Sequence, residues 1–369
     1  MLAALLATGC GESDDAAVPS SQQVQAALDE AVDAGAPGIA VAIRGADGEE
    51  FLTSGAASIE SEEPIRPDAL FRIASVTKSF TAAIVMQLVA EGKLSLDDTV
   101  KDLAPGLLAA GDEITVRELL GHTSGLPDYV KSDAFVKRAG AGKSVTPQQA
   151  LGFVADEEPE FEPGSEYAYS DSDNIALGLI IEEVTGRSFE RELGSRILEP
   201  LELDETTLAT TLRFPKPHAQ GYQYSEDGSD EPENVTDIPL DPNGAWASGA
   251  LISTPGDVSR FFGALLDGDL VPDEQLQEMM ATVPGAGSPP GPGTNNAGLG
   301  IFGWEVSCGE IWGHTGSWPG FRTLGAASED GDAAIAVVVN ATNTSDQANE
   351  AILRAQELAA CRALGEPTD

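Results

Sequence analysis

The sequence is poor in basic residues and in histidine. Its 369 residues include 20 Lys and Arg against 61 Asp and Glu, which gives a formal net charge of −41. Nucleic-acid binding needs a basic surface, so this composition argues against that class of protein, and an anionic membrane surface would repel the chain. The three histidines, His122, His218 and His314, lack the spacing of metal-binding motifs, so we expect no metal site.

Long apolar runs are also missing. The opening stretch MLAALLATGC is too short for a transmembrane helix and has no basic residues before its apolar part. It resembles the end of a bacterial lipoprotein signal, in which small residues precede a cysteine that becomes lipidated, here Cys10. We therefore expect residues 1–21 to be a signal-like segment and flexible tether. The protein would be exported, either as a cell-surface lipoprotein tethered to the membrane through Cys10 or as an extracellular protein.

Cysteine is also scarce, with three residues in the chain. In the oxidising surroundings of an exported protein, Cys308 and Cys361 are free to form a disulfide. The alternative is two buried thiols, which fits that setting less well.

Hydrophobic patterning suggests two structural regions. Strand patterns and amphipathic helices dominate both ends of the chain, whereas the middle has a helical pattern interrupted by turns. Strand-rich ends around a helical middle predict an α/β fold in which both ends build one sheet domain. The expected divisions are residues 22–102 and 241–365 for an antiparallel α/β sheet domain, and residues 103–240 for an inserted helical domain.

The first candidate for chemistry is the pair Ser75 and Lys78. The two residues stand at the head of a predicted helix whose residues from Phe80 to Ala90 are almost all apolar, and positions i and i+3 share a helical face. A lysine that enters such a core is costly unless something pairs or uses it. A serine hydroxyl becomes a good nucleophile only when a base takes its proton. The spacing therefore indicates a nucleophile beside its base, provided that other parts of the chain supply further groups.

Two more stretches supply such groups. Tyr167 and Tyr169 lie on the entry turn of a well-patterned helix, and Tyr167 is better explained by packing. In WGHTGSWPGF, His314, Thr315 and Gly316 follow a short strand, where glycine allows another backbone or a ligand to approach closely. The chain can therefore offer a hydroxyl, an amine, a phenol and an imidazole to one site.

In order and spacing, Ser75-Val76-Thr77-Lys78, Tyr169-Ser170-Asp171 and His314-Thr315-Gly316 resemble the three motifs of the serine penicillin-recognising enzymes. The subgroup is that of class C β-lactamases, soluble D-alanyl-D-alanine carboxypeptidases and related esterases, and HTG in place of KTG favours the carboxypeptidase and esterase branch. The likeness extends from about residue 22 to 362. It implies the β-lactamase/transpeptidase-like fold, with an antiparallel sheet flanked by helices and an inserted mostly helical domain, and it implies no cofactor.

The same resemblance implies a role for each residue. Ser75 attacks a carbonyl and holds the acyl group, while Lys78 and Tyr169 carry its proton to the leaving group. His314 acts near the Tyr169 hydroxyl as an orienting or electrostatic partner. The backbone N–H groups of Ser75 and Ser317 form the oxyanion hole. The implied substrate-binding residues are Asp171, Trp246, Thr315, Gly316 and Ser317, although Trp246 fits the core equally well.

Two positions depart from the family pattern. Asp171 replaces an asparagine whose amide holds the acyl amide of the substrate. A carboxylate only accepts hydrogen bonds and favours a charged Lys78, which leaves Tyr169 as the better starting base. The second departure is the strand GLGIFGWEV, which offers Phe302 and Trp304 where carboxypeptidase relatives place an arginine for the terminal carboxylate, and Arg322 could substitute. These departures weaken the case for ordinary peptide recognition.

The sequence thus predicts an exported serine acyl hydrolase that works through an acyl-enzyme on Ser75. The first expectation is a D-alanyl-D-alanine carboxypeptidase-like enzyme, and the alternatives are an esterase, a β-lactamase, or a non-catalytic penicillin- or peptidoglycan-sensing module. The partner would be a small molecule or peptide with a D-alanyl-D-alanine, ester or β-lactam carbonyl. We expect His122 to fix a turn, and His218 to be structural or exposed.

Overall fold

The computed structural model describes residues 17–225, 231–283 and 291–368. Cys10 and most of the expected signal segment lie outside the described residues, so lipidation and export stay predictions. Within the described ranges, no helix combines the length and the apolar character needed to cross a bilayer.

The described residues form short and long helices and mostly short strands. The helices are α1 (Ser21–Asp33), α2 (Thr77–Ala90), α3 (Val100–Leu103), α4 (Val116–Leu120), α5 (Asp133–Gly140), α6 (Pro147–Leu151), α7 (Asp171–Thr185), α8 (Phe189–Leu193), α9 (Trp246–Gly249), α10 (Pro255–Leu266), α11 (Asp273–Met280) and α12 (Asp346–Leu364). The strands are β1 (Gly38–Gly45), β2 (Gly48–Gly55), β3 (Phe71–Arg72), β4 (Thr207–Leu208), β5 (Tyr222–Gln223), β6 (Glu233–Asn234), β7 (Leu251–Ser253), β8 (Thr294–Ala297), β9 (Phe302–Val306), β10 (Gly309–Trp318), β11 (Phe321–Ala327), β12 (Ala334–Val339) and β13 (Ala341–Thr342).

A seven-stranded sheet in the order β2-β1-β12-β11-β10-β9-β8 forms the centre of the fold. All its neighbouring strands are antiparallel. β1 pairs with β12, with Val41 opposite Val337, so the two ends of the chain meet in the middle of the sheet. Alternate residues of these strands pack against α1 and α12 on one face, because strand side chains point to opposite faces. The expected antiparallel sheet flanked by helices is confirmed.

The helical part of the molecule has its own apolar core around α2. Nearly every residue of α2 is buried, because the helix lies among α7, α9 and α11. The Phe80 ring stacks on the Phe261 ring of α10 at a centroid distance of 3.6 Å. A helix enclosed on all sides explains why its sequence is apolar without an amphipathic stripe.

The helical pattern predicted up to residue 240 is wrong in its last part. Residues 207–225 and 231–240 hold only the two-residue strands β4, β5 and β6. Pro215 and Pro217 interrupt this stretch, and proline removes a helical hydrogen bond. β5 pairs with β13, and Phe214 packs in a cluster beside the sheet. The last part of the stretch assigned to the helical domain therefore packs with the sheet.

A disulfide joins Cys308, in the turn between β9 and β10, to Cys361 near the end of α12. The bond links positions 53 residues apart in the sequence. It fixes the closing helix to the strand that carries His314, Thr315 and Gly316.

Candidate active site

Ser75 sits on a single 3₁₀ turn, Ala74–Val76, that leads directly into α2. β10 passes against this turn at Gly316, where an added Cβ would overlap the Ile73 carbonyl oxygen. The glycine of the HTG motif is therefore required by the close approach of strand and turn. This approach places Thr315, Gly316 and Ser317 in the same cavity as the Ser75 side chain.

Lys78 is completely buried and makes three contacts through its ammonium group. Nζ donates to the Asp171 carboxylate at 2.6 Å, to the Ser248 carbonyl oxygen at 2.8 Å and to Ser75 Oγ at 3.1 Å. The three N–H groups of the ammonium are thereby satisfied. Lys78 is accommodated in an apolar core because its ammonium is paired with the Asp171 carboxylate and is hydrogen-bonded to Ser75.

The charge of Lys78 follows from two opposing effects. Burial lowers the pKa of Lys78, but the negative charge of Asp171, with smaller contributions from Tyr169, outweighs burial and raises that pKa above its ordinary value. Lys78 is therefore an ammonium in the free protein at neutral pH. The sequence predicted that Asp171, which replaces an asparagine of the family motif, would favour a charged Lys78. The structure contains this effect.

Tyr169 lies over the same group of atoms. Its hydroxyl lies close enough to Lys78 and Ser75 for both to influence its pKa, and Lys78 Nζ is 4.9 Å from the centre of its ring. Burial raises the pKa of Tyr169, while the charge of Lys78 lowers it in part, and the net result is a raised pKa. The phenol, the ammonium and the serine hydroxyl thus meet at one point, each carrying its proton.

His314 lies behind this group. Its Nδ1 is 2.5 Å from the Thr315 carbonyl oxygen, and its Nε2 is buried without a hydrogen-bond partner among the described residues. The centre of its ring is 6.3 Å from that of Tyr169. Burial first, and then the charge of Lys78, lower the pKa of His314 to about 3, so the imidazole is neutral at physiological pH. The expected contact with the Tyr169 hydroxyl is not a hydrogen bond in this structure.

His122 supports Tyr169 from the other side, a function that the sequence did not reveal. Its Nδ1 is 2.7 Å from Asp173 Oδ2, and Ser124 Oγ donates to the other Asp173 oxygen at 2.5 Å. The imidazole ring lies 4.5 Å from the Tyr169 ring, and His122 is 3% exposed. The signal that could have found this pair is Asp173 itself, an acid on the buried first turn of the apolar helix α7.

We expect His122→Ala to lower kcat/KM by roughly 10- to 100-fold, because a small displacement of the Tyr169 ring misplaces its proton. His218→Ala is the matched control, since His218 is half-buried and stacks on Phe214 away from the site. The measurement is kcat and KM for one chromogenic amide, with thermal unfolding of both variants in parallel. Equal activity of the two histidine variants would contradict a positioning function for His122.

The cavity at Ser75 has a volume of about 600 Å³. Trp246, proposed as a pocket residue, lies instead in the helical core, where its ring is 5.0 Å from that of Phe189. It is 7% exposed and is not part of the cavity wall. Among the described residues, no group of three or more His, Cys, Asp or Glu is arranged to hold a metal ion.

A second carboxylate stands beside Asp171. Asp128 Oδ1 accepts the backbone N–H of Asp171 at 3.3 Å, and its side chain is 7% exposed. Burial, and then the charge of Asp171, raise the pKa of Asp128 to about 6. The ammonium of Lys131 lies 3.6 Å away but is mostly exposed to solvent. The sequence pattern did not single out Asp128 as a site residue.

Comparison with known proteins agrees with this geometry. The family model described as Beta-lactamase matches residues 24–360. Penicillin-binding protein 4* of Bacillus subtilis (strain 168) is 29% identical over 304 residues, which cover 78% of this chain and 64% of that protein. The D-stereospecific amidohydrolase from Streptomyces sp. is 33% identical, with a TM-score of 0.80 over 92% of this chain and 98% of that one.

The D-amino acid amidase from Ochrobactrum anthropi SV3, solved with L-phenylalanine amide, is 30% identical, with a TM-score of 0.80 over 91% of this chain and 97% of that one. These similarities confirm the β-lactamase/transpeptidase-like fold. The chain belongs to the β-lactamase family, and it is a serine hydrolase of the superfamily that contains β-lactamases and penicillin-binding proteins.

Proposed function

We propose that the protein is a D-amino-acid amidohydrolase, which cleaves the amide or peptide bond of a D-residue whose α-amino group is free. The observation that carries the proposal is the pair of neighbouring carboxylates, Asp171 and Asp128, next to Lys78. Support for the D configuration comes from the names of two structural relatives, a D-stereospecific amidohydrolase and a D-amino acid amidase. This proposal ranks ahead of the carboxypeptidase expected from the sequence.

The charges at the site favour a cationic substrate. Two carboxylates face one buried ammonium, because the second cation, Lys131, is 74% exposed and therefore screened by water. An α-ammonium of the substrate would compensate the remaining negative charge. An N-acylated substrate would instead present a carbonyl oxygen to Asp171, and a carboxylate has no proton to donate to it.

The distances support the same orientation. Asp171 holds Lys78, and Lys78 Nζ reaches Ser75 Oγ at 3.1 Å, so a cation on Asp171 lies close to the nucleophile. An α-ammonium is two bonds from the carbonyl carbon of its own residue. Ser75 Oγ would attack that carbon while its proton passes through Tyr169 and Lys78 to the nitrogen of the leaving amine, the C–N bond would break, and water would then hydrolyse the ester on Ser75.

The proposal can be tested with D-phenylalanine p-nitroanilide, its N-acetyl derivative and its L enantiomer. We expect the free-amine D substrate to be hydrolysed with a kcat/KM roughly 10- to 100-fold above that of the N-acetyl derivative, as for a charge-assisted hydrogen bond. Its KM should rise below about pH 6, where Asp128 becomes protonated. Preference for the N-acetyl or the L substrate would overturn the proposal.

A D-alanyl-D-alanine carboxypeptidase or another penicillin-binding enzyme is the second candidate, favoured by Arg322 in the cavity wall and by the relative named penicillin-binding protein 4*. Labelling by a fluorescent penicillin together with release of D-alanine from an N-acylated D-alanyl-D-alanine peptide would support it. Hydrolysis of p-nitrophenyl acetate alone would support an esterase. Penicillin labelling without turnover of any substrate would support a sensing module.

A further inference from the structure

A buried arginine lies just ahead of the nucleophile. Arg72 is the last residue of β3 and precedes Ser75 by three positions in the chain. It is 5% exposed, yet its guanidinium forms no hydrogen bond and no ion pair with any described residue. A guanidinium has five N–H donors, and its burial without acceptors from the protein is costly. The contacts that Arg72 does make must offset part of this cost.

The charge of Arg72 is also poorly compensated. Arg117, Arg196 and Arg362 each pair with a carboxylate, whereas the nearest opposing charge on Arg72 comes from Asp237, which is exposed to solvent. Burial lowers the pKa of Arg72 to about 10, and the charge of Asp237 opposes this effect only in part. An ion pair therefore does not explain why a cation is kept at this position.

Two aromatic rings lie against the guanidinium. Its carbon Cζ is 4.9 Å from the centre of the Phe214 ring and 5.3 Å from the centre of the Trp318 ring. A guanidinium within about 6 Å of the centre of an aromatic ring is attracted to the ring. Arg72 thereby holds together three segments that are distant in the sequence, namely β3, the end of β10 and the stretch around Phe214.

Trp318 connects this contact to the active site. It follows Ser317 directly at the end of β10, and the N–H groups of Ser317 and Ser75 are the two that are expected to form the oxyanion hole. Both groups must point at one oxygen, from a distance of about 3 Å each. The gap between the turn that carries Ser75 and the end of β10 therefore decides whether the two donors can act together.

Two contacts fix this gap from opposite directions. At Gly316 the strand touches the turn so closely that an added Cβ would overlap the Ile73 carbonyl oxygen, so β10 can come no closer. Two positions further along the strand, the attraction between Arg72 and the Trp318 ring opposes separation. The steric contact sets the lower limit of the gap, and the cation–π contact keeps the strand at that limit.

We propose that Arg72 is a positioning residue for the oxyanion hole, because it holds Trp318, and with it the Ser317 N–H, against the turn of Ser75. Neither Arg72 nor Trp318 lines the cavity at Ser75, so this function needs no contact with the substrate. The carbonyl oxygen gains its negative charge only when Ser75 Oγ adds to the carbonyl carbon. A displaced β10 would thus lower kcat more than it changes KM. The inference rests on the proposed hydrolysis at Ser75 but not on the proposed D-substrate.

Arg72→Met keeps most of the side-chain length and removes the cation. We expect kcat for D-phenylalanine p-nitroanilide to fall by roughly 10- to 100-fold, while KM changes by less than about threefold. Arg72→Lys keeps a cation near the ring and should recover part of the loss. Arg260→Met is the matched control, because Arg260 is bound to the Glu202 carbonyl oxygen, and it should change kcat by less than about twofold.

Phenylboronic acid provides a second readout. Its boron bonds to Ser75 Oγ and becomes tetrahedral and negatively charged, with one oxygen in the oxyanion hole. We expect its Ki to rise by roughly tenfold or more in Arg72→Met and to stay nearly unchanged in Arg260→Met. A purely structural function of Arg72 would lower the thermal stability of the variant without changing this Ki.

A double-variant cycle tests whether Arg72 acts through Trp318. Trp318→Leu removes the ring and should lower kcat as Arg72→Met does, whereas Trp318→Phe should be milder. The loss in the double variant should not exceed that of the more affected single variant, because both substitutions remove the same contact. The concentration of folded protein is measured for each variant by circular dichroism. If Arg72→Met does not fold, the two Trp318 variants give the same comparison of kcat with KM and with Ki.

The inference is overturned if Arg72→Met leaves both kcat and the Ki of phenylboronic acid within about twofold of the unsubstituted protein. It is also overturned if the losses of the two single variants multiply in the double variant. Failure of the proposed function would look different, since the L or the N-acetyl anilide would then be preferred. The variants could still be compared on p-nitrophenyl acetate, and binding of the boronic acid could be followed by tryptophan fluorescence.

Discussion

Ser75→Ala is expected to lower kcat/KM for every substrate of the protein by roughly 10⁴- to 10⁶-fold, as removal of a nucleophile does in other serine hydrolases. The physical reason is that the Ser75 hydroxyl is the group to which the Lys78 ammonium donates a hydrogen bond, and Tyr169 lines the same cavity. The backbone turn and Gly316 contact would remain, because alanine keeps the Cβ and removes only Oγ. The measurement is the initial rate with D-phenylalanine p-nitroanilide.

Intact mass of the protein gives the second readout. A slow substrate or a penicillin should add the mass of its acyl group to the unsubstituted protein and leave Ser75→Ala unmodified. Ser61→Ala, at an exposed turn, is the control and should acylate normally. If Ser75→Ala were still acylated or still hydrolysed the anilide at the normal rate, the reaction would not pass through Ser75.

The fold could be predicted where the sequence pattern is local. α1, α12 and the strands β1, β2 and β9 to β12 follow from amphipathic or alternating patterns that each element carries in its own residues. The order of these strands in the sheet does not follow from such patterns, since no single strand contains the identity of its neighbour. The helical prediction for residues 207–225 and 231–240 was wrong because strands β4 and β5 pair with β7 and β13, distant segments that a local pattern does not reveal.

In the active site, too, contacts between neighbouring residues could be predicted from the sequence, whereas contacts between distant residues could not. Ser75 and Lys78 are neighbours on one turn, so their contact follows from spacing alone. The partners that set the charge of Lys78 come from distant positions, Asp171 and the Ser248 carbonyl oxygen. Every residue has a backbone carbonyl oxygen, so the residue types in a sequence do not indicate which one will bind Lys78.

Two acids escaped prediction for a related reason. Asp128 and Asp173 are buried within the site, yet in the sequence they stand among many other acidic residues of a chain with 61 Asp and Glu. Burial alone separates them from solvated surface acids, and burial is a property of the folded chain. It is also what raises the pKa of each of these carboxyl groups.

Asp171→Asn is expected to shift the substrate preference of the protein from a free-amine substrate towards an N-acylated one. The amide removes the negative charge that attracts an α-ammonium, and it adds an N–H donor that can bind the carbonyl oxygen of an N-acyl group. We expect kcat/KM to fall by roughly 10- to 100-fold for D-phenylalanine p-nitroanilide and to rise by about tenfold for its N-acetyl derivative. The ratio of the two would thus change by roughly 10²- to 10³-fold.

The same substitution should shift the pH dependence, in a direction fixed by Lys78. In the unsubstituted protein the charge of Asp171 outweighs burial and keeps the pKa of Lys78 above its ordinary value. Without the charge of Asp171, less negative charge remains to offset the effect of burial, and the pKa of Lys78 falls. Neutral Lys78 can accept the Ser75 proton, so the rise of kcat/KM with pH for the N-acetyl substrate should begin at a lower pH in the variant.

Asp133→Asn provides the control for the change in net charge, because Asp133 is exposed in the first turn of α5. Both substrates should respond to this control by less than about twofold, since exposed charges are screened beyond a Debye length. An equal loss of activity on both substrates in Asp171→Asn, with an unchanged pH profile, would contradict the argument. Asp171 would then serve only to hold Lys78 in place, and the negative charge of the site would have no part in choosing the substrate.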